Sequence, residues 1–206
     1  MQTLSKTDLM PLEQYAAARG DFRSKFMRYK KQRQFQLDDN IRFYFEDRIT
    51  VQYQIQEMLR VEKIFEAEAI QEELDAYTPL ISGENNIKAT LMLEYPDVDE
   101  RRIKLAERTG IEDTIWLQVS DFVKVMAIAN EDLDRSTDEK TSSVHFLRFE
   151  LSDEMVDAVL AGANITLGID HPANRVSGVT IPLEILKSLR ADLDNRVEKP
   201  FLQQLE

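Results

Sequence analysis

Residues 87–110 read IKATLMLEYPDVDERRIKLAERTG, which is a strand pattern followed directly by a helix pattern. IKATLMLEY (87–95) has the apolar and β-branched content of a strand. A turn at Pro96 leads to Asp97 and Glu100, whose spacing is that of a helix-capping box, and Gly110 stands where that helix should stop. The stretch therefore predicts a strand, a turn and one capped helix.

The same alternation continues on the C-terminal side of this stretch. TIWLQV (about 114–119), FVKVMAIA (about 122–129) and SVHFLRFEL (143–151) are typical of strands, and the first two are expected to pair. On the N-terminal side, 48–66 and about 68–77 are typical of helices. No glycine-rich phosphate turn occurs at any junction between a strand and a helix. We expect an α+β fold with a largely antiparallel sheet covered by helices.

The length of 206 residues suits one full-sized domain. We predict a single α+β domain over 1–206, with a helical N-terminal part at about 1–80 and a sheet-rich part at about 81–206. No apolar run approaches the roughly 18 residues of a membrane-spanning helix. The amino terminus lacks the basic and then apolar layout of a secretory signal, so we expect a cytoplasmic protein without membrane contact.

The chain contains no cysteine and only two histidines. Disulfides, thiolate-bound zinc, cysteine-held iron–sulfur clusters and cysteine nucleophiles are thereby excluded. A metal site rich in histidine is excluded for the same reason. No cofactor is predicted, although a metal bound mainly by carboxylates stays possible.

The net charge of −12 makes nucleic-acid binding unfavourable, because phosphates would be repelled. The segment 19–33 departs from this acidic character, with seven basic residues against one acidic residue. Such a run is usually the solvated face of a helix, and the alternative is a docking patch for an acidic partner or an anion. The basic residues are Arg19, Arg23, Lys25, Arg28, Lys30, Lys31 and Arg33.

The strand SVHFLRFEL carries a polar residue on each face. Side chains alternate along a strand, so Arg148 shares one face with Phe146, whereas His145 shares the other with Leu147. Both faces are apolar enough to be buried. We therefore expect a charged or titratable side chain inside the protein.

The helix predicted at 48–66 also carries a charged residue on its apolar face. Val51, Ile55, Met58 and Phe65 fall on one stripe at helical spacing, and Glu62 projects into the same stripe. An unpaired buried carboxylate costs several kcal/mol, so such a residue needs a cation, hydrogen bonds or a metal. We predict that Glu62 is buried.

Arg148 and His145 are the natural partners for Glu62. A buried structural ion pair is one interpretation of this candidate cluster. The other is a ligand or metal pocket formed by Glu62, His145 and neighbours such as Glu57. For His171, which precedes Pro172 at the end of a strand pattern, a structural role is favoured over a functional one.

Five separated blocks of the sequence resemble one known family. The chain is similar, from about Leu9 to Leu193, to the bacterial family called domain of unknown function 3501. The blocks are FEDRITVQYQIQEMLRVEKIF, IQEELDAYTPLI, KATLMLEYPD, EKTSSVHFLRFEL and IDHP. The resemblance implies a bacterial cytoplasmic protein whose genes tend to lie near those of rubrerythrin-like proteins and iron–sulfur oxidoreductases. It implies no catalytic residues.

Two functions follow as hypotheses. The first is a non-enzymatic accessory protein that interacts with redox partners, namely rubrerythrin-like or iron–sulfur oxidoreductase proteins, in peroxide or oxygen defence. The alternative is an enzyme or small-molecule binder with a carboxylate–histidine pocket that holds a metal. A homodimer is expected by default, since twofold dimers are the commonest assembly.

Overall fold

The computed structural model describes residues 3–131, 135–137 and 139–194. Its helices are α1 (Leu12–Lys31), α2 (Arg48–Glu62), α3 (Ala67–Tyr77), α4 (Val98–Glu107), α5 (Asp153–Ala161) and α6 (Leu183–Leu193). Its strands are β1 (Gln34–Asp38), β2 (Ile41–Glu46), β3 (Asn86–Leu93), β4 (Ile115–Val119), β5 (Val125–Met126), β6 (Ile128–Ala129), β7 (Val144–Glu150), β8 (Ile165–His171) and β9 (Asn174–Thr180). None of the described helices is both long and apolar enough to cross a bilayer.

The strands form two antiparallel sheets. Sheet A has the order β1-β2-β3-β7-β6 and sheet B the order β5-β4-β8-β9. The predicted α+β class, the antiparallel pairing and the helical N-terminal region are confirmed. The division into two sheets was not predicted from the sequence.

The segment 122–129 explains how the chain passes from one sheet to the other. It was predicted as one strand but forms two short ones, β5 in sheet B and β6 in sheet A. Between them, the amide of Ala127 donates a hydrogen bond to the carbonyl oxygen of Ile115, at 2.9 Å. The chain therefore crosses from sheet B to sheet A at a single residue, Ala127. A pattern of alternating apolar residues does not reveal such a break between two strands.

One hydrophobic core is shared by both sheets and by helices α4, α5 and α6. Sheet A contributes Phe43, Leu91 and Leu147, and sheet B contributes Leu117 and Leu167. Because side chains alternate along a strand, the neighbouring residues of sheet A project from its opposite face. That outer face lies beneath the N-terminal helices, where a second, smaller core joins α2 and α3 through Val51, Ile55, Leu59 and Leu74.

Candidate functional site

The predicted cluster around Glu62 does not form. Helix α2 ends at Glu62, and Lys63 adopts a left-handed conformation with φ of 58°. Phe65 therefore lies outside the helix and is 72% exposed, so it does not extend the apolar stripe. The buried stripe runs through Ile55 and Leu59 instead, and Glu62 is exposed. The prediction that Glu62 is buried is wrong.

Glu57 joins the first two long helices. The guanidinium of Arg19 on α1 donates to both carboxylate oxygens of Glu57 at 2.7 Å, and the hydroxyl of Tyr15 donates to Oε1 at 2.7 Å. The hydrogen bonds from Arg19 are the main cause that lowers the pKa of Glu57 to about 2. Glu57 is thus part of a structural contact between α1 and α2 and does not approach His145.

Arg148 lies on the outer face of sheet A, where its charge is neutralised locally. Its Nε and Nη2 atoms donate to the two oxygens of Glu131, each at 2.7 Å. A further contact joins Arg148 to Glu150. The predicted partner of Glu62 is therefore paired with two other carboxylates.

His145 lies on the inner face of sheet A and has no solvent exposure. A buried carboxylate does approach it, but the residue is Glu112, whose Oε2 lies 3.8 Å from Nε2. The hydroxyl of Thr141 is 2.8 Å from Nε2 and donates to Glu112 Oε2 at 3.0 Å. The sequence offered no signal for Glu112, which sits in a short 3-10 turn after Gly110 with no apolar periodicity.

Both ring nitrogens of His145 have hydrogen-bond partners. Nδ1 lies 3.0 Å from the side-chain amide nitrogen of Asn130, and Nε2 lies 3.0 Å from the Ser142 carbonyl oxygen. Burial lowers the pKa of His145, and the opposing attraction of Glu112 is smaller. Across the described part of the chain, no three carboxylate or histidine side chains gather as metal ligands. This buried pair has the properties of a structural cluster.

His171 also makes structural contacts. Its Nε2 faces the Thr109 carbonyl oxygen at 3.2 Å, and its Nδ1 accepts from the Ala173 amide at 3.2 Å. Both ring nitrogens are thereby used to hold the hairpin between β8 and β9.

The predicted basic patch is divided by the fold. Arg19 is paired with Glu57, and Lys30 places its ammonium 4.3 Å from the centroid of the Tyr44 ring. Arg33 is only 1% exposed and cannot contact a docked partner. Of the remaining residues, Lys25 is partly buried, and the exposed ones are Arg23, Arg28 and Lys31.

Arg33 instead links four parts of the structure. Its Nε donates to the Phe45 carbonyl oxygen at 2.9 Å, and Nη1 lies 3.3 Å from Asp47. Two further contacts join Arg33 to α6: Nη1 donates to the hydroxyl of Ser188 at 2.5 Å, and Nη2 contacts the carboxylate of Asp192. The positive charge of Arg33 is thus balanced by two carboxylates.

A cleft of about 390 Å³ lies between the outer face of sheet A and the N-terminal helices. Aromatic side chains from α1, β2, α2, α3 and β7 line it, namely Phe26, Tyr44, Tyr53, Tyr77 and Phe146. The rings of Phe26 and Tyr53 are stacked, with centroids 3.7 Å apart. These side chains come from distant parts of the sequence, so no local motif reveals the cleft.

Glu46 is the acidic residue among the described side chains that line this cleft. It is partly buried, and its two oxygens accept hydrogen bonds from the hydroxyls of Thr50, at 2.5 Å, and Thr90, at 2.6 Å. Burial raises the pKa of Glu46 despite these hydrogen bonds. A carboxyl group removed from water in an aromatic cleft is typical of a binding site.

A second cavity of about 300 Å³ adjoins the cleft. Glu46, Leu80 and Phe146 line both spaces, which lie side by side along the outer face of sheet A. Lys88 and Arg148 line the second cavity. Of the residues predicted from the sequence, Lys30 and Arg33 border the cleft and Arg148 borders the adjoining cavity.

Fold and site together define an α+β protein with two antiparallel sheets and an aromatic cleft beneath its N-terminal helices. The family model for the proteins of unknown function designated DUF3501 matches residues 3–193, and the chain belongs to that family. The chain is also similar to a novel protein of unknown function from Burkholderia pseudomallei, known from a crystal structure. The two share 46% sequence identity and a TM-score of 0.89, over 94% of this chain and 100% of the other. No curated protein matches the chain.

Proposed function

We propose that this protein binds a small molecule in the cleft between the outer face of sheet A and the N-terminal helices. The observation that carries the proposal is the partly buried carboxyl group of Glu46 within an aromatic cleft of about 390 Å³. Ligand sites in proteins are commonly concave and mostly apolar, have volumes of roughly 300–1,000 Å³, and contain a few placed polar groups. The cleft has each of these properties.

Binding without catalysis agrees best with the groups present. The described residues that line the cleft include no histidine or serine, and the chain has no cysteine. The hydroxyls of Thr50 and Thr90 both donate to Glu46, and these contacts hold its carboxyl group in place. His145 and Glu112 are buried away from solvent, where a substrate has no access.

The association with rubrerythrin-like or iron–sulfur oxidoreductase proteins stays a prediction motivated by the family resemblance. On this view the protein is an accessory protein that interacts with these redox proteins. The exposed basic side chains of α1 are the surface that would contact an acidic partner. A homodimer and the lack of a resident cofactor likewise stay predictions.

The proposal can be tested by screening small-molecule fragments by NMR against the protein and two matched variants. Val144 lines the cleft, so Val144→Phe should fill part of it and weaken binding at least about tenfold, because the larger side chain occupies the ligand's volume. Val179→Phe makes the same change on the exposed face of β9 and should leave binding unchanged. If no fragment binds in a manner that Val144→Phe weakens, the proposed function is wrong.

A further inference from the structure

The carboxyl group of Glu46 has no cationic partner among the residues that the structure describes. Its hydrogen bonds come from two neutral hydroxyls, those of Thr50 and Thr90. Neutral hydroxyls donate hydrogen bonds to a carboxylate but carry no positive charge that could balance it. The acidic group at this position is therefore left without a counter-ion.

Arg33 borders the cleft, but its charge is used elsewhere. Asp47, the residue next to Glu46, lies 3.3 Å from the guanidinium, and Asp192 contacts its other terminal nitrogen. Two carboxylates already balance this one cation. Arg33 thus makes its ion pairs with Asp47 and Asp192, and its attraction is the smallest of the influences on the pKa of Glu46.

Two lysines near Glu46 are also engaged elsewhere. Lys30 lines the cleft, but its ammonium lies over the ring of Tyr44. Lys88 stands directly across from Glu46 in the pairing of β2 with β3, yet its ammonium donates to the Pro79 carbonyl oxygen at 2.5 Å. Neither lysine makes an ion pair with Glu46 in the described structure.

The aromatic walls of the cleft are suited to cations. The negative face of an aromatic ring attracts a positive charge within about 6 Å of its centroid. Two cations of the chain itself show this here, since Lys30 lies over Tyr44 and the guanidinium of Arg135 lies 4.5 Å from the Phe146 centroid. The rings of Tyr53 and Tyr77 line the same space.

We propose, on the basis of the proposed function, that the ligand is a small organic cation, such as an amine with an apolar or aromatic body. Its positive group pairs with the carboxylate of Glu46, and its body packs against the aromatic walls. The ligand thereby supplies the counter-ion that the chain itself does not provide. A bound anion would instead be repelled by Glu46.

Three probes with the same body and different charge test this proposal, namely phenethylamine, 2-phenylethanol and phenylacetate. Calorimetric or NMR titration at pH 7 should show that the affinity of the amine is at least about tenfold higher than that of the alcohol. The acid should have the lowest affinity of the three. The Glu46→Gln variant keeps the size of the side chain and removes its charge. It should remove most of the amine's advantage over the alcohol, because the charge that pairs with the ammonium is lost while the aromatic walls remain.

The outcomes separate this inference from the proposed function. If the alcohol or the acid binds as tightly as the amine, or if Glu46→Gln keeps the full preference for the amine, the cation inference is wrong while cleft binding stands. If none of the three probes binds but other fragments do so in a manner that Val144→Phe weakens, the cation inference again fails alone. If nothing binds in the cleft, both proposals fail.

Discussion

At the scale of single residues, the burial of His145 makes the stability of the protein depend on pH. Burial lowers the pKa of its imidazole below the ordinary value of 6.5, so the folded protein resists its protonation. Glu112 attracts the proton, and Asp113 does so more weakly, whereas Arg135 opposes it. In the unfolded chain the same histidine binds a proton near its ordinary pKa. Folding and protonation at this position are therefore coupled.

The coupling predicts that His145 makes the protein less stable in mild acid. A lowered pKa in the folded state contributes stability above pH 6.5 that is lost as the pH falls toward the folded pKa. His145→Gln and His145→Asn remove this titration. The difference in unfolding free energy between wild type and each variant should shrink from pH 7.5 to 5, by at most about 1.4 kcal/mol per pH unit. Urea unfolding measures it, and a constant difference would mean that His145 has no lowered pKa.

For single residues, the sequence predicted the position of a side chain where that position depends on one strand alone. The alternation of SVHFLRFEL correctly separated His145 and Arg148 onto opposite faces, because period 2 holds within a single strand, and the structure shows that the face of His145 is the buried one. The position of Glu62 depended on how far helix α2 continues, and its end after Glu62 was not visible in the pattern. Glu112 and Glu46 acquire their roles only through contacts with distant segments.

At the scale of elements, sheet B contains a close contact between a tryptophan and a glycine. Trp116 on β4 stands opposite Gly168 on β8, and the indole is 1% exposed. A methyl group on Gly168 would lie 2.1 Å from Cζ2 of this ring, which is well inside van der Waals contact. The ammonium of Lys124 covers the ring at 3.7 Å from its centroid. The absence of a side chain at Gly168 is what allows the indole to lie there.

This contact gives opposite predictions for two glycine substitutions. Gly168→Ala should destabilise the protein by about 1–3 kcal/mol, because the buried indole has to move. Gly20→Ala is the matched control, since Gly20 lies within α1 and an added methyl group there meets no atom within 4 Å. That change should stabilise the protein by about 0.5–1 kcal/mol through helix propensity. Urea unfolding measures the free energy of unfolding of both variants. A Gly168→Ala protein as stable as wild type would contradict the packing described.

The ends of helices and strands were predicted well where a local sequence signal, such as a helix cap, marks them. Asp97 begins α4 as expected, with its carboxylate accepting a hydrogen bond from the Glu100 amide at 2.8 Å. The switch of the chain between sheets at Ala127 could not be predicted, because both halves of 122–129 keep a strand pattern. Which sheet each half joins is decided by tertiary pairing.

On the scale of the whole molecule, the predicted interaction with redox proteins can be tested by recovery of partners. The tagged protein, isolated from its host under aerobic and peroxide-stressed growth, should recover a rubrerythrin-like or iron–sulfur oxidoreductase protein. Recovery should fall when the three exposed cations of α1 are changed to glutamine, because an acidic partner loses its counter-charges. Those cations are Arg23, Arg28 and Lys31, and the control triple, also exposed, is Lys63, Arg175 and Lys187. Failure to recover either kind of protein in both conditions would count against the association.

The α+β class and antiparallel pairing were predictable for the whole chain, since both follow from the order of local patterns. The cleft was not, because its walls come from α1, α2, α3 and three strands of sheet A. Each of those segments has an ordinary apolar pattern by itself. Only their juxtaposition creates a space with one acidic group inside.

The crystal structure of the protein bound to the tightest fragment from the screen tests the central claim most directly. The account predicts that the fragment lies between the outer face of sheet A and the N-terminal helices, in contact with Tyr53 and Phe146 and within hydrogen-bond distance of Glu46. A fragment bound elsewhere on the molecule, with this cleft empty, would contradict it.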